Sequence, residues 1–327
     1  MNRLGLCVVG CGSFAQTFCQ GIEAMRSELD LYFASRDLSR AQQYATTFHA
    51  QGAFGSYEEA AADPRVEAMY VCTPHHLHEQ HVYLAASAGK HVLVGKPMAC
   101  SLDEGRRMIA VAESAGVTLM VAENYRFMPQ VRTCKELVDC DAIGDLRLIQ
   151  LQEEAHFTPE QWRTNTDQNG GGVFIDGGIH KVHFLRYMAG EPENVFASAL
   201  PSAIPAHEGE DGLVMMVRWA SGLVGVINHS WTGSRIRRHP WVAIAGIRGR
   251  IYFEPGQPWL RLEQDGTETI IQINEDYRGL APMVREFRDS IREGRNPEVS
   301  GADGLGDLKL VLKAYESAER NMSLPLT

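Results

Sequence analysis

Apolar runs of strand length alternate with segments of helical spacing through the first part of the chain. The strand-like runs are 4–10, 29–35, 66–74, 91–95 and 117–122, with a short one at 53–54. The helical segments between them are 13–26, 37–50, 76–89 and 101–115, with a short one after Ser56. Continuous apolar strands separated by helices predict a parallel sheet that is covered on both faces.

The pattern changes after Glu123. Strand-like segments follow one another directly from about 192 to 273, which predicts an antiparallel sheet. The remaining segments are a strand at 146–155 and helices at 129–139, 172–189, 279–293 and 303–320. The predicted fold class is α/β, with a doubly wound parallel sheet in an N-terminal domain, 1–123. A C-terminal α+β domain, 124–327, has a large, mostly antiparallel open sheet.

Composition narrows the class of protein. The 327 residues carry a formal charge of −10, which argues against a nucleic-acid or anionic-membrane partner. No run is long and apolar enough to span a membrane. Seven scattered cysteines without a CxxC pair predict a reduced, cytoplasmic chain without a disulfide framework.

A glycine-rich turn follows the first strand. Gly10, Gly12 and Ala15 form the G-x-G-x-x-A pattern directly between a strand and a helix. The first glycine allows the tight turn, the second lets backbone approach a pyrophosphate, and the small third residue lets helix pack on strand. The phosphates would sit at the helix N-terminus, which favours anions. The turn therefore predicts a dinucleotide site, and the alternative is a structural turn.

The residues after the second strand indicate which dinucleotide. An acid about 20 residues past the turn usually holds the ribose of NAD. Ser35 and Arg36 stand there instead, and a hydroxyl with a guanidinium suits a 2′-phosphate. NADP is therefore favoured over NAD. In the alternative interpretation Arg36 is a solvated loop residue, and Asp37 only caps the next helix.

Four histidines, His75, His76, His78 and His81, follow Thr73 and Pro74 at the end of the fourth strand. Such a cluster can bind metal, but no CxxC or HExxH motif supplies further ligands. Ligands of open α/β sheets bind at the carboxyl ends of the strands. We therefore expect this loop to border the cofactor, and we expect no metal.

Lys96 leaves the fifth strand at the same edge, followed by Pro97. Near a nicotinamide this amine could exchange a proton or a hydrogen bond with a substrate. The proline restricts the backbone of Lys96 and could hold a cis bond. Alone, the pair would indicate only an exposed turn.

Asp176 and His180 lie four residues apart among apolar residues of a predicted helix. This spacing places both on one face, where an acid and an imidazole can move protons. An aspartate that caps its helix and a hydrogen-bonded core histidine explain the pattern equally well.

Taken together, these motifs resemble the glucose–fructose oxidoreductase, inositol dehydrogenase and rhizopine-catabolism (Gfo/Idh/MocA) family. Its elements occur in family order along nearly the whole chain. They are GCGSFA, CTPHHLH, AGKHVLVGKPMA, AENYRF, IGDL, GGGVFIDGGIH, GIRGRI and AYESAERN. The resemblance implies a Rossmann domain, NAD(P)-dependent oxidation or reduction of a sugar, sugar derivative or cyclitol, and a homodimer or homotetramer formed through the C-terminal sheet.

The resemblance also implies residue roles. His180 would exchange the proton of the substrate hydroxyl, Lys96 would position that hydroxyl, and Asp176 would orient the substrate. The implied substrate-binding set is Lys96, Tyr125, Arg126, Trp162, Arg163, Asp176 and His180. The motifs and the resemblance together give the predicted cofactor-binding set Gly10, Gly12, Ser13, Phe14, Ala15, Ser35, Arg36, Thr73, Pro74, His75, His78, Lys96, Pro97 and Asn124.

Some positions depart from the family pattern. Gly95 replaces the glutamate that usually precedes the lysine, His183 stands where many members have an acid, and Lys181 adds a positive charge. Two other functions stay open. One is a glycosidase of the same fold that binds nicotinamide without net turnover, and the other is a non-catalytic sugar or nucleotide sensor.

Overall fold

The computed structural model describes residues 3–233, 239–254, 257–273 and 278–326. The chain folds into two structural units. Unit 1 comprises the described residues up to Asn124 together with Gly279–Leu305, and unit 2 comprises those of Tyr125–Arg278 and Gly306–Thr327. Among the described residues, no helix is long and apolar enough to cross a membrane.

Unit 1 contains the predicted alternation of strands and helices. Its elements up to Asn124 are β1 (Leu4–Val9), α1 (Ser13–Gly21), β2 (Leu29–Ala34), α2 (Leu38–Thr47), β3 (Gly52–Phe54), α3 (Tyr57–Ala62), β4 (Ala68–Val71), α4 (His78–Ser87), β5 (His91–Val94), α5 (Leu102–Ala115) and β6 (Leu119–Val121). The predicted helix 13–26 is interrupted, because α1 ends at Gly21 and a separate 3₁₀ turn covers Glu23–Met25. Another 3₁₀ turn, His75–Leu77, precedes α4.

The six strands of unit 1, all within the described residues, form one parallel sheet. Their order is β3-β2-β1-β4-β5-β6. Every residue of β1 is buried, as expected for a strand covered on both faces. The order reverses between β1 and β4, and in such sheets ligands bind beyond the carboxyl ends of the strands at this point. The predicted doubly wound sheet is confirmed.

Unit 2 begins with helices and contains most of the second sheet. The elements as far as Arg278 are α6 (Pro129–Asp139), β7 (Leu146–Glu154), α7 (Thr166–Asn169), α8 (Ile179–Ala189), β8 (Asn194–Ala199), β9 (Gly212–Arg218), β10 (Val224–Ser230), β11 (Val242–Gly246), β12 (Gly249–Phe253), β13 (Trp259–Gln264) and β14 (Thr267–Gln272). A π-helical turn, Phe174–Gly178, leads directly into α8. The predicted helix 172–189 therefore consists of a π-helical turn followed by an α-helix.

The remaining elements are α9 (Leu280–Glu293), α10 (Gly301–Arg320) and β15 (Leu324–Pro325). With β15, the described residues form a nine-stranded sheet of order β14-β13-β12-β11-β7-β10-β9-β8-β15. Within it β7 and β10 pair in parallel, and the other neighbours are antiparallel. The predicted large, mostly antiparallel sheet is confirmed.

Helix α9 belongs to unit 1, which a single boundary near 123 does not anticipate. The side chain of Leu280 packs so closely against Gly21 that a Cβ there would lie 2.4 Å from it. Arg292 forms a bidentate ion pair with Glu67, at 2.7 and 3.0 Å. An amphipathic helix shows that it covers a core, but its pattern does not show which core. The functional boundary, 1–123 and 124–327, stays a prediction.

Candidate active site

The glycine-rich turn of unit 1 has the geometry that its sequence predicts. Gly10 has a φ of +99°, and a Cβ there would lie 3.0 Å from the carbonyl oxygen of Cys72. Gly12 caps α1, and a Cβ built on it would meet nothing within 4 Å. Ala15 is completely buried. Gly10 is thus required by the turn, whereas Gly12 keeps backbone accessible.

This turn fits a dinucleotide. The first turn of α1, described in full, contains no acidic side chain, and no side chain caps the helix through Gly12. Its N–H groups and its dipole therefore favour an anion such as a pyrophosphate. Ser13 and Phe14 are exposed on the same turn. The open space beside Gly12 is the feature that a bound phosphate group needs.

After the end of β2, Asp37 has a different role from Ser35 and Arg36. Asp37 caps α2, since its Oδ1 accepts hydrogen bonds from the backbone N–H groups of Ser39 and Arg40 at 2.9 and 3.4 Å. Ser35 is buried, and its Oγ accepts from the N–H of Asp37. Arg36 is exposed and lies beside Tyr57. Burial raises the pKa of this phenol, and Arg36 acts in the opposite direction. The capping role of Asp37 is confirmed.

Three histidines after β4, His75, His78 and His81, are buried, and only His76 of the four is exposed. The Nδ1 of His81 lies 2.9 Å from the hydroxyl of Thr73. Across the described residues, no group of three or more potential ligands is placed to hold a metal ion. The three buried rings pack in the interior of unit 1.

His78 connects the loop after β4 to the loop after β5. Its Nε2 lies 2.9 Å from the Thr73 carbonyl, and its Nδ1 lies 3.0 Å from the Pro97 carbonyl. Burial lowers the pKa of His78 to about 4, although the surrounding carbonyls act in the opposite direction. Both ring nitrogens contact backbone, so His78 braces the segment that contains Lys96.

Gly95 and Lys96 follow β5, and the peptide bond between Lys96 and Pro97 is cis. A Cβ on Gly95 would lie 3.2 Å from Cε1 of His78 and 3.3 Å from the carbonyl of Val71. Position 95, where the family pattern has a glutamate, is thus packed against the imidazole of His78. Lys96 is half-buried, and Asn124 is half-buried just after β6. The structure therefore places Gly10, Ser35, Thr73, Lys96 and Asn124 after carboxyl ends of strands of one sheet.

In unit 2, Asp176 lies in the π-helical turn and forms an ion pair. Its Oδ2 accepts a hydrogen bond from Nε of Arg163 at 2.8 Å. Asp176 is buried and Arg163 is half-buried. The guanidinium of Arg163 also lies over the Trp162 ring, 4.3 Å from its centre. The structure thus joins three predicted substrate residues and orients the carboxylate.

His180 lies at the start of α8 under an aromatic ring. Tyr125 stacks on the imidazole with ring centres 3.9 Å apart and planes 10° from parallel. Trp241 contacts the edge of Tyr125 at 5.1 Å. The stack fixes the plane of the imidazole. Arg126 is another residue of the predicted substrate-binding set. Its guanidinium carbon lies 3.5 Å from the centre of the Tyr187 ring.

Lys181 and His183, which depart from the family pattern, each pair with an acidic side chain. Lys181 is buried and forms an ion pair with Glu153, and its Nζ also donates to the carbonyl of Gly177 at 3.1 Å. The Nδ1 of His183 lies 2.8 Å from Asp307, which also pairs with Arg186. His183 therefore belongs to a buried polar link to α10.

Sequence reasoning missed Glu210 and Tyr315, which contact the backbone just before Asp176. The carboxylate of Glu210 accepts from the N–H groups of Val173 and Phe174. Tyr315 donates to Glu210 Oε1 at 2.7 Å. Burial raises the pKa of Glu210 to about 7, whereas these hydrogen bonds act to lower it. Only Tyr315 gave a sequence signal, because it lies in the AYESAERN segment.

Comparison with known proteins finds family matches in both parts of the chain. Residues 4–123 match an oxidoreductase family with an NAD-binding Rossmann fold, and residues 131–252 match the C-terminal domain of the Gfo/Idh/MocA proteins. A levoglucosan dehydrogenase solved with NADH and levoglucosan has a TM-score of 0.90 at 22% identity, covering 99% of this chain and 100% of that one. At this identity the likeness shows the fold alone.

Two curated relatives are more similar in sequence. The trans-1,2-dihydrobenzene-1,2-diol dehydrogenase of Mus musculus is 38% identical over 194 residues, which are 58% of this chain and 58% of the mouse protein. The 1,5-anhydro-D-fructose reductase of Ensifer adhaerens is 31% identical over 329 residues, which are 97% of this chain and 96% of the reductase. Similarity that extends over nearly the whole of the reductase, together with the two domain matches, shows that the chain belongs to the Gfo/Idh/MocA oxidoreductase family.

Proposed function

We propose that this protein is an NAD(P)-dependent oxidoreductase that transfers hydride between a nicotinamide and a hydroxyl-bearing carbon of a sugar, sugar derivative or cyclitol. The observation that carries the proposal is the open backbone at Gly12, at the N-terminus of α1. The names of the relatives support the substrate class, since they denote enzymes of an anhydro sugar and of a cyclic diol. When bound, the nicotinamide supplies the hydride chemistry.

His180 is proposed to exchange the proton of the reacting hydroxyl. Its imidazole is buried and held in plane by Tyr125, which limits the directions that its ring nitrogens can take. Asp176 is proposed to accept a hydrogen bond from a substrate hydroxyl, because its buried carboxylate is oriented by the ion pair with Arg163. Lys96 is proposed to position the reacting hydroxyl.

The substrate-facing residues proposed in addition are Tyr125, Arg126, Trp162 and Arg163. Trp162 and Tyr125 place aromatic rings directly beside Arg163 and His180, and Arg163 offers further donors beside Asp176. An aromatic face packs against the apolar C–H surface of a sugar ring, while the polar groups bind its hydroxyls. This combination supports a polyhydroxylated ring as substrate.

We favour NADP as the cofactor. Asp37 is engaged in capping α2, and the position where a ribose-binding acid would stand is Ser35. Arg36 is exposed beside it and can bind a 2′-phosphate. The other proposed cofactor contacts are Gly10, Ser13, Phe14, Ala15, Thr73, Pro74, His75, His78, Pro97 and Asn124. Because His75 and His78 are buried, they would contribute by supporting the loop that borders the cofactor.

Two properties of the protein are proposed beyond its chemistry. The outer face of the large sheet contains exposed apolar side chains of β9, Val214 and Met216, which supports a homodimer or homotetramer formed through this face.

None of the seven cysteines, all within the described residues, forms a disulfide. This supports a reducing, cytoplasmic compartment.

The test starts with thermal unfolding in the presence of NAD, NADH, NADP or NADPH. A ligand at about a hundred times its Kd adds roughly 2.7 kcal/mol of stability, so the midpoint should rise by several degrees. The best nucleotide is then used to screen sugars and cyclitols for turnover. Lys96→Ala, Asp176→Asn and His180→Asn should abolish turnover and retain nucleotide binding.

Each alternative predicts a different result. Release of an aglycone without net change in the nucleotide would identify the glycosidase-type enzyme. No shift with any nucleotide, in protein shown to contain none, would overturn the proposal and favour a sensor.

A further inference from the structure

We propose that Glu210 and Tyr315 are positioning residues that together hold the backbone of Gly172–Ile175 and thereby place Asp176 and His180. This inference rests on the proposed function of those two residues. It concerns the start of the π-helical turn, where four consecutive N–H groups need acceptors. We name the arrangement the Glu210–Tyr315 clamp.

The two side chains of the clamp satisfy all four of these donors. The hydroxyl of Tyr315 accepts from the N–H groups of Gly172 and Ile175 at 3.2 and 2.9 Å. The carboxylate of Glu210 accepts from Val173 and Phe174 at 3.0 and 2.9 Å. The Tyr315 hydroxyl also donates to Glu210 Oε1 at 2.7 Å, so the two acceptors hold each other.

The clamp differs from an ordinary helix cap in where its residues come from. A capping side chain usually lies within a few residues of the donors that it satisfies. Here the acceptors lie 36 and 140 residues away along the chain. They come from the loop before β9 and from α10, so the turn is fixed to two separate parts of unit 2.

Two of the three glycines before the turn, Gly171 and Gly172, let these parts approach. A Cβ on Gly171 would lie 2.8 Å from the Tyr315 ring, and one on Gly172 would lie 2.3 Å from the carbonyl oxygen of Glu210. The carbonyl of Glu210 also accepts from Val173 N–H at 2.8 Å. The glycine run therefore serves the clamp, because it removes the side chains that would separate turn and loop.

Asp176 follows the clamped backbone directly, and His180 is the second residue of α8. A catalytic group that is displaced by about 1 Å can lose roughly a hundredfold in rate. Loosening of the clamp is therefore expected to reduce kcat more than it changes nucleotide binding.

The test compares Tyr315→Phe with Ser317→Ala in the full chain. Tyr315→Phe keeps the ring and removes the hydroxyl, so kcat should fall about 10- to 100-fold. Ser317 is a matched control on the same helix, since its buried Oγ donates to the carbonyl of Met322 and accepts from the N–H of Ala197. Ser317→Ala loses comparable hydrogen bonds outside the turn, so kcat should stay within about twofold.

Two further readouts separate positioning from general destabilisation. Hydrogen exchange of a peptide that covers residues 172–176 should accelerate in Tyr315→Phe and not in Ser317→Ala. Glu210→Gln keeps one acceptor oxygen and Glu210→Ala keeps none, so kcat should decrease in the order wild type, Glu210→Gln, Glu210→Ala. Nucleotide affinity should be unchanged in all of these variants.

The outcomes distinguish this inference from the proposed function. Wild-type kcat in Tyr315→Phe, with Asp176→Asn inactive, would overturn the clamp and leave the proposed function standing. Equal losses of kcat in Tyr315→Phe and Ser317→Ala would also overturn it. Full activity of Asp176→Asn and His180→Asn would overturn the proposed roles themselves, whatever the clamp variants show.

Discussion

Two neighbouring glycines allow a direct test of the nucleotide site, because the structure gives them opposite roles. Gly10→Ala introduces a Cβ at a φ of +99°, 3.0 Å from the Cys72 carbonyl and 3.1 Å from the Thr73 side chain. The backbone strain costs about 1 to 2 kcal/mol, and relieving the close contacts costs about 1 kcal/mol more. The midpoint of thermal unfolding should therefore fall by several degrees.

Gly12→Ala should leave stability almost unchanged. Gly12 has φ −96° and ψ 179°, which any L-residue adopts, and its Cβ would meet nothing within 4 Å. The poorer capping of alanine and the lower entropy of its unfolded chain offset each other to within about 1 kcal/mol. The methyl group would instead occupy the space that a pyrophosphate needs. The Kd for NADPH should rise at least about tenfold, or 1.4 kcal/mol.

The midpoints of thermal unfolding are measured without ligand. Nucleotide affinity is measured separately, by fluorescence titration. Gly12→Ala that bound every nucleotide as tightly as wild type would refute the placement of the pyrophosphate. Gly10→Ala with an unchanged midpoint would refute the strain argument.

Three other predictions concern the loops and the acid of the site. Because burial lowers the pKa of His78 to about 4, its neutral form stabilises the fold fully above pH 6.5, and this contribution is lost as the pH falls towards 4. The difference in free energy of unfolding between wild type and His78→Gln should therefore shrink by about 2 kcal/mol from pH 7.5 to pH 5, measured in urea. Arg163→Ala removes the ion pair with Asp176, so KM for the substrate should rise at least about tenfold while the nucleotide Kd stays constant. Arg36→Ala should raise the Kd for NADPH about tenfold and leave that for NADH unchanged, as measured by titration.

Each of these predictions has a contradicting result. A pH-independent difference for His78→Gln would show that the imidazole is not held neutral. An unchanged KM in Arg163→Ala would separate Asp176 from substrate orientation. Equal effects of Arg36→Ala on both nucleotides would remove the argument for NADP.

The first sheet was predictable because its physics is local. Parallel strands that are buried on both faces appear as continuous apolar runs, and the residues that serve ligands follow their carboxyl ends. Gly10, Ser35, Thr73 and Lys96 could therefore be found from their places after strands. The capping role of Asp37 was equally local.

The support of the site could not be found in this way. Glu210 and Tyr315 contact residues 36 and 140 positions away, and no periodicity records such a contact. The π-helical turn also gave no signal, since the period of its apolar residues is compatible with an α-helix. The brace formed by His78 explains Gly95 only once the ring is seen beside it. Sequence thus located the proposed reacting groups, and the structure identified the side chains that hold their backbone.

The return of α9 to unit 1 affects how the chain folds during synthesis. The β1–β6 sheet has left the ribosome well before Leu280, because about 150 residues of unit 2 separate Asn124 from Gly279. At roughly 5 to 20 residues per second, this interval lasts roughly 8 to 30 seconds. During it, Gly21 lacks the cover of Leu280, and Glu67 lacks its ion pair with Arg292. The nascent nucleotide-binding unit therefore completes its core only near the end of translation, and a fragment that stops at Asn124 would expose the surface that α9 covers.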